Sequence, residues 1–112
     1  MNKTGREAEN LAVDYISQQG FRVIARNIKI GGFGEVDIVA EKNNVLCIFE
    51  VKALSYSHNF RAQDHFTTKK KQKVLRLAQH LGNLYNKDEI VVYLLAIDNF
   101  ENTPLFHLFL IS

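Results

Sequence analysis

Proline and cysteine are almost missing from this chain, with one of each (Pro104 and Cys47), and there is no tryptophan. A lone cysteine excludes an internal disulfide. Cys47 lies within the apolar run Val45-Leu46-Cys47-Ile48-Phe49, so it reads as a core thiol of a reducing compartment, and a cytoplasmic protein is expected. No apolar stretch approaches the ~18–20 residues needed to span a bilayer, and the first residues carry no apolar signal region, so no membrane partner is expected. Internal repeats and low-complexity segments are lacking too. An excess of one charge is also missing: 14 basic residues face 12 acidic ones, for a net charge of +2. That balance alone does not indicate a nucleic-acid partner, so the distribution of charge matters more.

What is present is ordinary globular composition, 46% apolar over 112 residues, which predicts one domain (1–112) with a single core. Thr4-Gly5-Arg6-Glu7 fits a capping box ahead of a helix whose Ala8, Leu11, Ala12, Tyr15 and Ile16 recur at helical spacing, with Gly20 at its C-terminal cap. Glu9 falls at the edge of that apolar stripe. Strands are predicted over 21–28, 35–41 and 45–54, the last two joined by Asn43-Asn44, a pair that tolerates the positive φ of a tight hairpin. Residues 55–66 lack periodicity and read as a loop. Thr67 or Thr68 caps a second helix striped by Val74, Leu77, Ala78, Leu81, Leu84 and Tyr85. A buried strand over 90–97 and, after Pro104, an edge strand over 106–110 complete an αβββαββ order, an α/β class.

The acids Glu35, Asp37, Glu41 and Glu50 cluster in mid-chain, and Lys69, Lys70, Lys71, Lys73 and Arg76 follow in one block. On a strand, residues two apart share a face, which pairs Glu50 with Lys52 and Glu35 with Asp37. With Asn43 and Asn44 as the two turn residues, Lys42 pairs with Val45; Asp37 then lies opposite Glu50, and Glu35 opposite Lys52. Carboxylates that close repel unless a positive charge intervenes. A divalent cation with hard oxygen preference, Mg²⁺ or Mn²⁺, answers that need, with Asp37 and Glu50 as ligands and the Val51 carbonyl as a third. Water on such an ion is acidified, and Lys52 is placed to orient it or to stabilise charge on a phosphate. A solvated ladder of surface ion pairs is the alternative reading of the same residues.

Gly34-Glu35-Val36-Asp37-Ile38-Val39-Ala40 followed by Phe49-Glu50-Val51-Lys52 resembles the core motif of the YraN-like family of uncharacterised bacterial proteins, related to archaeal Holliday-junction resolvases and the PD-(D/E)xK nuclease superfamily. The likeness extends to residues 5–12, to residues 20–27 and to the lysine-rich start of the second helix. It implies a restriction-endonuclease-like mixed β-sheet flanked by helices and a metal-dependent endonuclease acting on DNA, branched or structured DNA included. By this matching Asp37 and Glu50 hold metal, Lys52 is the catalytic lysine, and Glu9 is the first-helix acid that completes the site. The resolvase relatives act as two-fold dimers, which implies a homodimer. The segment 55–66 departs from the family pattern, which carries a glycine after an aromatic residue.

Lys69, Lys70, Lys71 and Lys73 suit nucleic-acid phosphates, and Lys70, four residues before Val74, is aligned to reach the site. Each of these lysines also reads as a solvated helix start. His58, His65, His80 and His107 show no zinc-ligand spacing. Tyr56, Phe60 and Phe66 suit base stacking or, equally, anchoring of a loop. Asp98 reads as a cap or turn. Two further functions remain open beside the nuclease: a non-catalytic nucleic-acid-binding module, and an interaction module of a DNA-processing complex.

Overall fold

The computed structural model describes residues 3–32, 34–53, 67–98 and 102–112. Helix α1 (Lys3–Gln18) is followed by β1 (Arg22–Ile30), β2 (Gly34–Lys42), β3 (Val45–Ala53), helix α2 (Thr68–Leu84), β4 (Ile90–Asp98) and β5 (Leu105–Leu110). The αβββαββ order is as the sequence predicts. The five strands form one sheet in the order β1-β2-β3-β4-β5. Every neighbouring pair is antiparallel except β3 and β4, which are parallel because α2 lies on the path between them.

The helices cover opposite faces of the sheet. Ala8, Ala12 and Ile16 of α1 pack on Ile38, Ala40, Cys47, Phe49, Leu95 and Ile97. Val74, Leu77, Ala78 and Leu81 of α2 pack on Val36, Val39, Leu46, Ile48 and Val92. This is a mixed sheet flanked by helices, compatible with the restriction-endonuclease-like arrangement. Phe21, Phe49 and Tyr93 meet in the α1 layer, with Phe49 and Tyr93 stacked at 5.1 Å and Phe21 edge-on to Phe49 at 5.2 Å.

Local signals end the helices where expected, with small corrections. Gly20 (φ +93°) closes α1: its N–H donates to Ser17 O, and the Phe21 N–H donates to Ile16 O, the paired bonds that a left-handed residue permits after a helix. The other end differs, since α1 begins at Lys3 and Thr4 lies inside its first turn rather than ahead of it. Thr67, not Thr68, caps α2, its hydroxyl accepting the Lys70 N–H at 3.2 Å. Leu84, expected in the α2 stripe, is instead 69% exposed, while Tyr85 beside it packs against the core on the α2 side. Asp98 is the last residue of β4, as expected, paired with Leu105 and buried. Among the described residues, no helix is long and apolar enough to cross a membrane. The loop expected over 55–66, with Tyr56, His58, Phe60, His65 and Phe66, lies outside the described residues.

Gly82 marks where α2 presses on the start of β4. A Cβ there would collide with Ile90 Cδ1 and stand 3.2 Å from the Lys87 carbonyl oxygen. Gly82→Ala is therefore expected to destabilise the fold by about 1–3 kcal/mol in chemical denaturation, as overpacked cores do.

Candidate metal centre

The site begins at the Asn43-Asn44 turn. Both residues have positive φ (52° and 65°), the backbone of a two-residue hairpin, and the turn sets Lys42 opposite Val45. The ladder then runs pair by pair to Ile38 opposite Phe49. The next step is the Asp37–Glu50 position anticipated from sequence, but the strands part before it. Beyond that point β2 stays with β1, through Val36, Glu35 and Gly34, while β3 stays with β4 as far as Ala53. The Val51 N–H, which has lost its strand partner, donates to Asp37 Oδ2 at 2.8 Å. A carboxylate thus substitutes for a strand where a backbone donor would otherwise be left unpaired.

The parting corrects two expectations. Glu35 does not oppose Lys52: it pairs with Lys29 of β1, and Lys52 pairs with Ala96 of β4. Simple alternation also fails around Asp37, since Val36 packs under α2 whereas Ile38, two residues on, packs under α1. The disturbance crosses to β1, where Asn27, between the paired Arg26 and Ile28, has a φ of +51°. Lys52 is exposed on β3, two residues beyond Glu50.

Charge is concentrated at the fork. Burial raises the Asp37 pKa against the Val51 hydrogen bond, with Glu9 and Glu35 raising it further and Lys70 lowering it. Burial, then the Asp37 and Glu35 charges, push Glu50 up to about 7, again opposed by Lys70. Both carboxylates are therefore costly to ionise together.

Glu9 reaches this region from the opposite helix. Sequence periodicity set it at the edge of the α1 stripe, yet its residue exposure is only 2%. Its Oε1 accepts from Arg26 Nε at 2.7 Å and from Asn27 Nδ2 at 3.0 Å. Its Oε2 is buried with no hydrogen-bond partner, an arrangement that costs about 1–3 kcal/mol, more for a charged group. Arg26 and Asn27 were not singled out by sequence reasoning. A basic residue beside an Asn able to take positive φ, midway along a strand, was the available signal.

Glu50 and Glu35 also line a cavity of about 710 Å³ beneath the start of α2, whose opposite wall carries Lys69, Lys70, Lys73 and Arg76. Lys71 is not part of that wall. Of the predicted residues, the structure thus gathers Asp37, Glu50, Glu9 and Lys70 electrostatically, and adds Glu35. Among the described residues, no three or more His, Cys, Asp or Glu side chains form a group that could hold a metal ion. The donors nevertheless fit a hard divalent ion held by two carboxylates and water: Asp37 and Glu50 are acids in need of a countercharge, and Glu9 offers an unpartnered oxygen nearby.

These features define an α/β protein with an acidic fork in its central sheet, facing a lysine-bearing helix. Residues 8–97, which include the whole fork, match the Uncharacterised protein family UPF0102, and the chain belongs to that family. It is 37% identical over 78 residues to a UPF0102 protein of Persephonella marina, covering 67% of this chain and 64% of the relative. It is 38% identical over 74 residues to one from Campylobacter hominis, covering 66% and 63%, and 35% identical over 103 residues to one from Clostridium botulinum, covering 85% and 83%. The chain thus spans just under two thirds of the length of the first two relatives.

The raised Glu50 pKa has a thermodynamic consequence. The unfolded carboxyl titrates near 4.5 and the folded one near 7, so the folded state holds the extra proton between these values. Stability from this group is complete below pH 4.5 and is lost as pH rises through 7, a change on the order of 3 kcal/mol. In buffer with chelator, Glu50→Gln is expected to flatten that part of the denaturation-midpoint profile. An unchanged profile would mean that Glu50 is not held in this environment.

Proposed function

We propose that this protein is a Mg²⁺- or Mn²⁺-dependent endonuclease that hydrolyses phosphodiester bonds in DNA, branched or otherwise structured DNA included. The observation that carries the reading is the placement of Glu50, one residue before the Val51 N–H that holds Asp37, in a cavity that it shares with Lys69, Lys70, Lys73 and Arg76. An acidic floor opposite a basic wall suits a cation below and a phosphate chain above. Asp37 and Glu50, with the Val51 carbonyl, are the residues that would hold the ion, and the Val51 N–H keeps the Asp37 carboxylate turned to β3. When bound, the ion supplies an acidified water and countercharge for the phosphate. Lys52, on the same strand as Glu50, stabilises the charge that develops on the phosphoryl oxygens. Lys69, Lys70 and Lys73 hold the flanking phosphates, and Glu9 completes the acidic set from α1.

The test is cleavage of duplex, single-stranded and four-way-junction DNA by purified protein with Mn²⁺. Asp37→Ala and Glu50→Ala are each expected to abolish cleavage, and Lys52→Ala to slow it by about 100-fold, the usual scale for a lost charge-stabilising group. Cleavage that survives Asp37→Ala or Glu50→Ala would sink the mechanism. Combined Lys69→Ala, Lys70→Ala and Lys73→Ala is expected to weaken DNA binding and to lower the salt dependence of affinity by roughly one unit of slope per lost phosphate contact. DNA binding that depends on these lysines, without cleavage under any metal, would instead assign a binding module.

A further inference from the structure

The hydrogen bonds around Glu9 are unevenly shared. A guanidinium presents Nε–H and Nη2–H along one edge, a fork that matches both oxygens of one carboxylate. Arg26 does not use it that way. Its Nε donates to Glu9 Oε1 at 2.7 Å, while its Nη2 donates to Asn10 Oδ1 at 2.6 Å. Asn27 then adds its amide to the same Oε1 at 3.0 Å. One oxygen of Glu9 therefore receives two donors, and the other, which is buried, receives none. Asn10 is exposed on α1, next to Glu9 in the chain, and its side chain diverts the second prong of the arginine.

We infer that Asn10, Arg26 and Asn27 form a positioning clamp that ties Glu9 Oε1 and reserves Oε2 as an acceptor for the water shell of a divalent ion held by Asp37 and Glu50. The inference rests on the metal-dependent reading above. Asn27, which holds Glu9 Oε1, stands on β1 between the pairs Arg26–Ile38 and Ile28–Val36, across from Asp37, so the clamp borders the fork directly. An ion that keeps several of its waters can be met there through one of them. Asn27 is suited to its part because Asn tolerates the positive φ that directs its amide toward Glu9 from a strand otherwise running past it. Asn10 is the discriminating member. It is exposed and bonded to Arg26 through Nη2, and its loss frees that Nη2 to close the fork on Oε2.

Calorimetric titration of Mn²⁺ alone into the chain, paired with thermal melting in chelator, tests the clamp. Asn10→Ala is expected to weaken Mn²⁺ binding by about tenfold, the scale on which outer-shell partners act, while the melting temperature stays level or rises. Asn10→Asp, which still accepts from Nη2, is expected to bind Mn²⁺ at least as well as the wild type. Mn²⁺ affinity unchanged in Asn10→Ala, with Asp37→Asn still abolishing binding, would overturn the clamp and leave the metal site standing. A fall in melting temperature with unchanged Mn²⁺ affinity would also overturn it, as a structural role only. A wild-type chain that binds no Mn²⁺, or an Asp37→Asn chain that binds it undiminished, would overturn both readings.

Discussion

The hydrogen bond from the Val51 N–H to Asp37 Oδ2 allows the central sheet to open. Antiparallel neighbours normally continue until one strand ends, because each buried donor needs its acceptor. Here β2 and β3 separate while both are still strands, each held on its outer side by β1 or β4. A side-chain oxygen supplies the acceptor that the departing backbone takes away. The gap this creates lies beneath the first turns of α2, where the cavity forms. Asp37 is thus both a structural part of the fork and its central charge.

That dual part explains why the electrostatics there are unfavourable in the bare protein. Asp37, Glu50, Glu9 and Glu35 approach one another, and among the described residues Lys70 is the cation that lowers both Asp37 and Glu50, while Arg26 serves Glu9. Elsewhere the same protein pairs its charges closely: Glu41 is met by Arg22 at 3.0 Å and by Lys87 at 2.7 Å. The contrast lies in placement, since the paired acid sits toward the turn end of the hairpin and the crowded ones sit at the fork. Groups whose pKa values are displaced by burial and like charges gather at functional sites more often than elsewhere.

Much of this was legible in the sequence because the signals are local. Asn43-Asn44 fixed the hairpin register from Lys42 and Val45 onward, Gly20 and Thr67 marked helix ends, and the apolar run after Ile90 announced a buried strand. The residues misjudged are those whose positions depend on several elements at once. Alternation assigns Glu35 and Asp37 one face, but it presumes an undisturbed strand, and the strand is disturbed at Asp37 and at Asn27 across from it. Helical periodicity leaves Glu9 at a stripe's edge; whether that edge is wet or dry depends on β1, where Arg26 and Asn27 cover it. Leu84 shows the converse, an apolar position left exposed while Tyr85 beside it takes the place on the core.

The start of α2 is the last place where stability and site pull apart. A helix N-terminus carries partial positive charge and is stabilised by acids in its first turn, yet this one has none. Lys69, Lys70 and Lys71 stand there instead, with Lys73 following, each unfavourable to the dipole by about 0.3–1 kcal/mol at low salt. The Thr67 cap offsets part of this, typically about 1 kcal/mol, and the stripe of Val74, Leu77 and Leu81 holds the helix to the sheet. A sequence serving stability alone would place Asp or Glu at two of these positions. The helix start and three of its lysines, Lys69, Lys70 and Lys73, bring positive charge to the cavity that Glu50 and Glu35 also line. Under the proposed function, a polyanion approaching the fork would be admitted by the cationic helix start, and a cation at the acids would offset their repulsion.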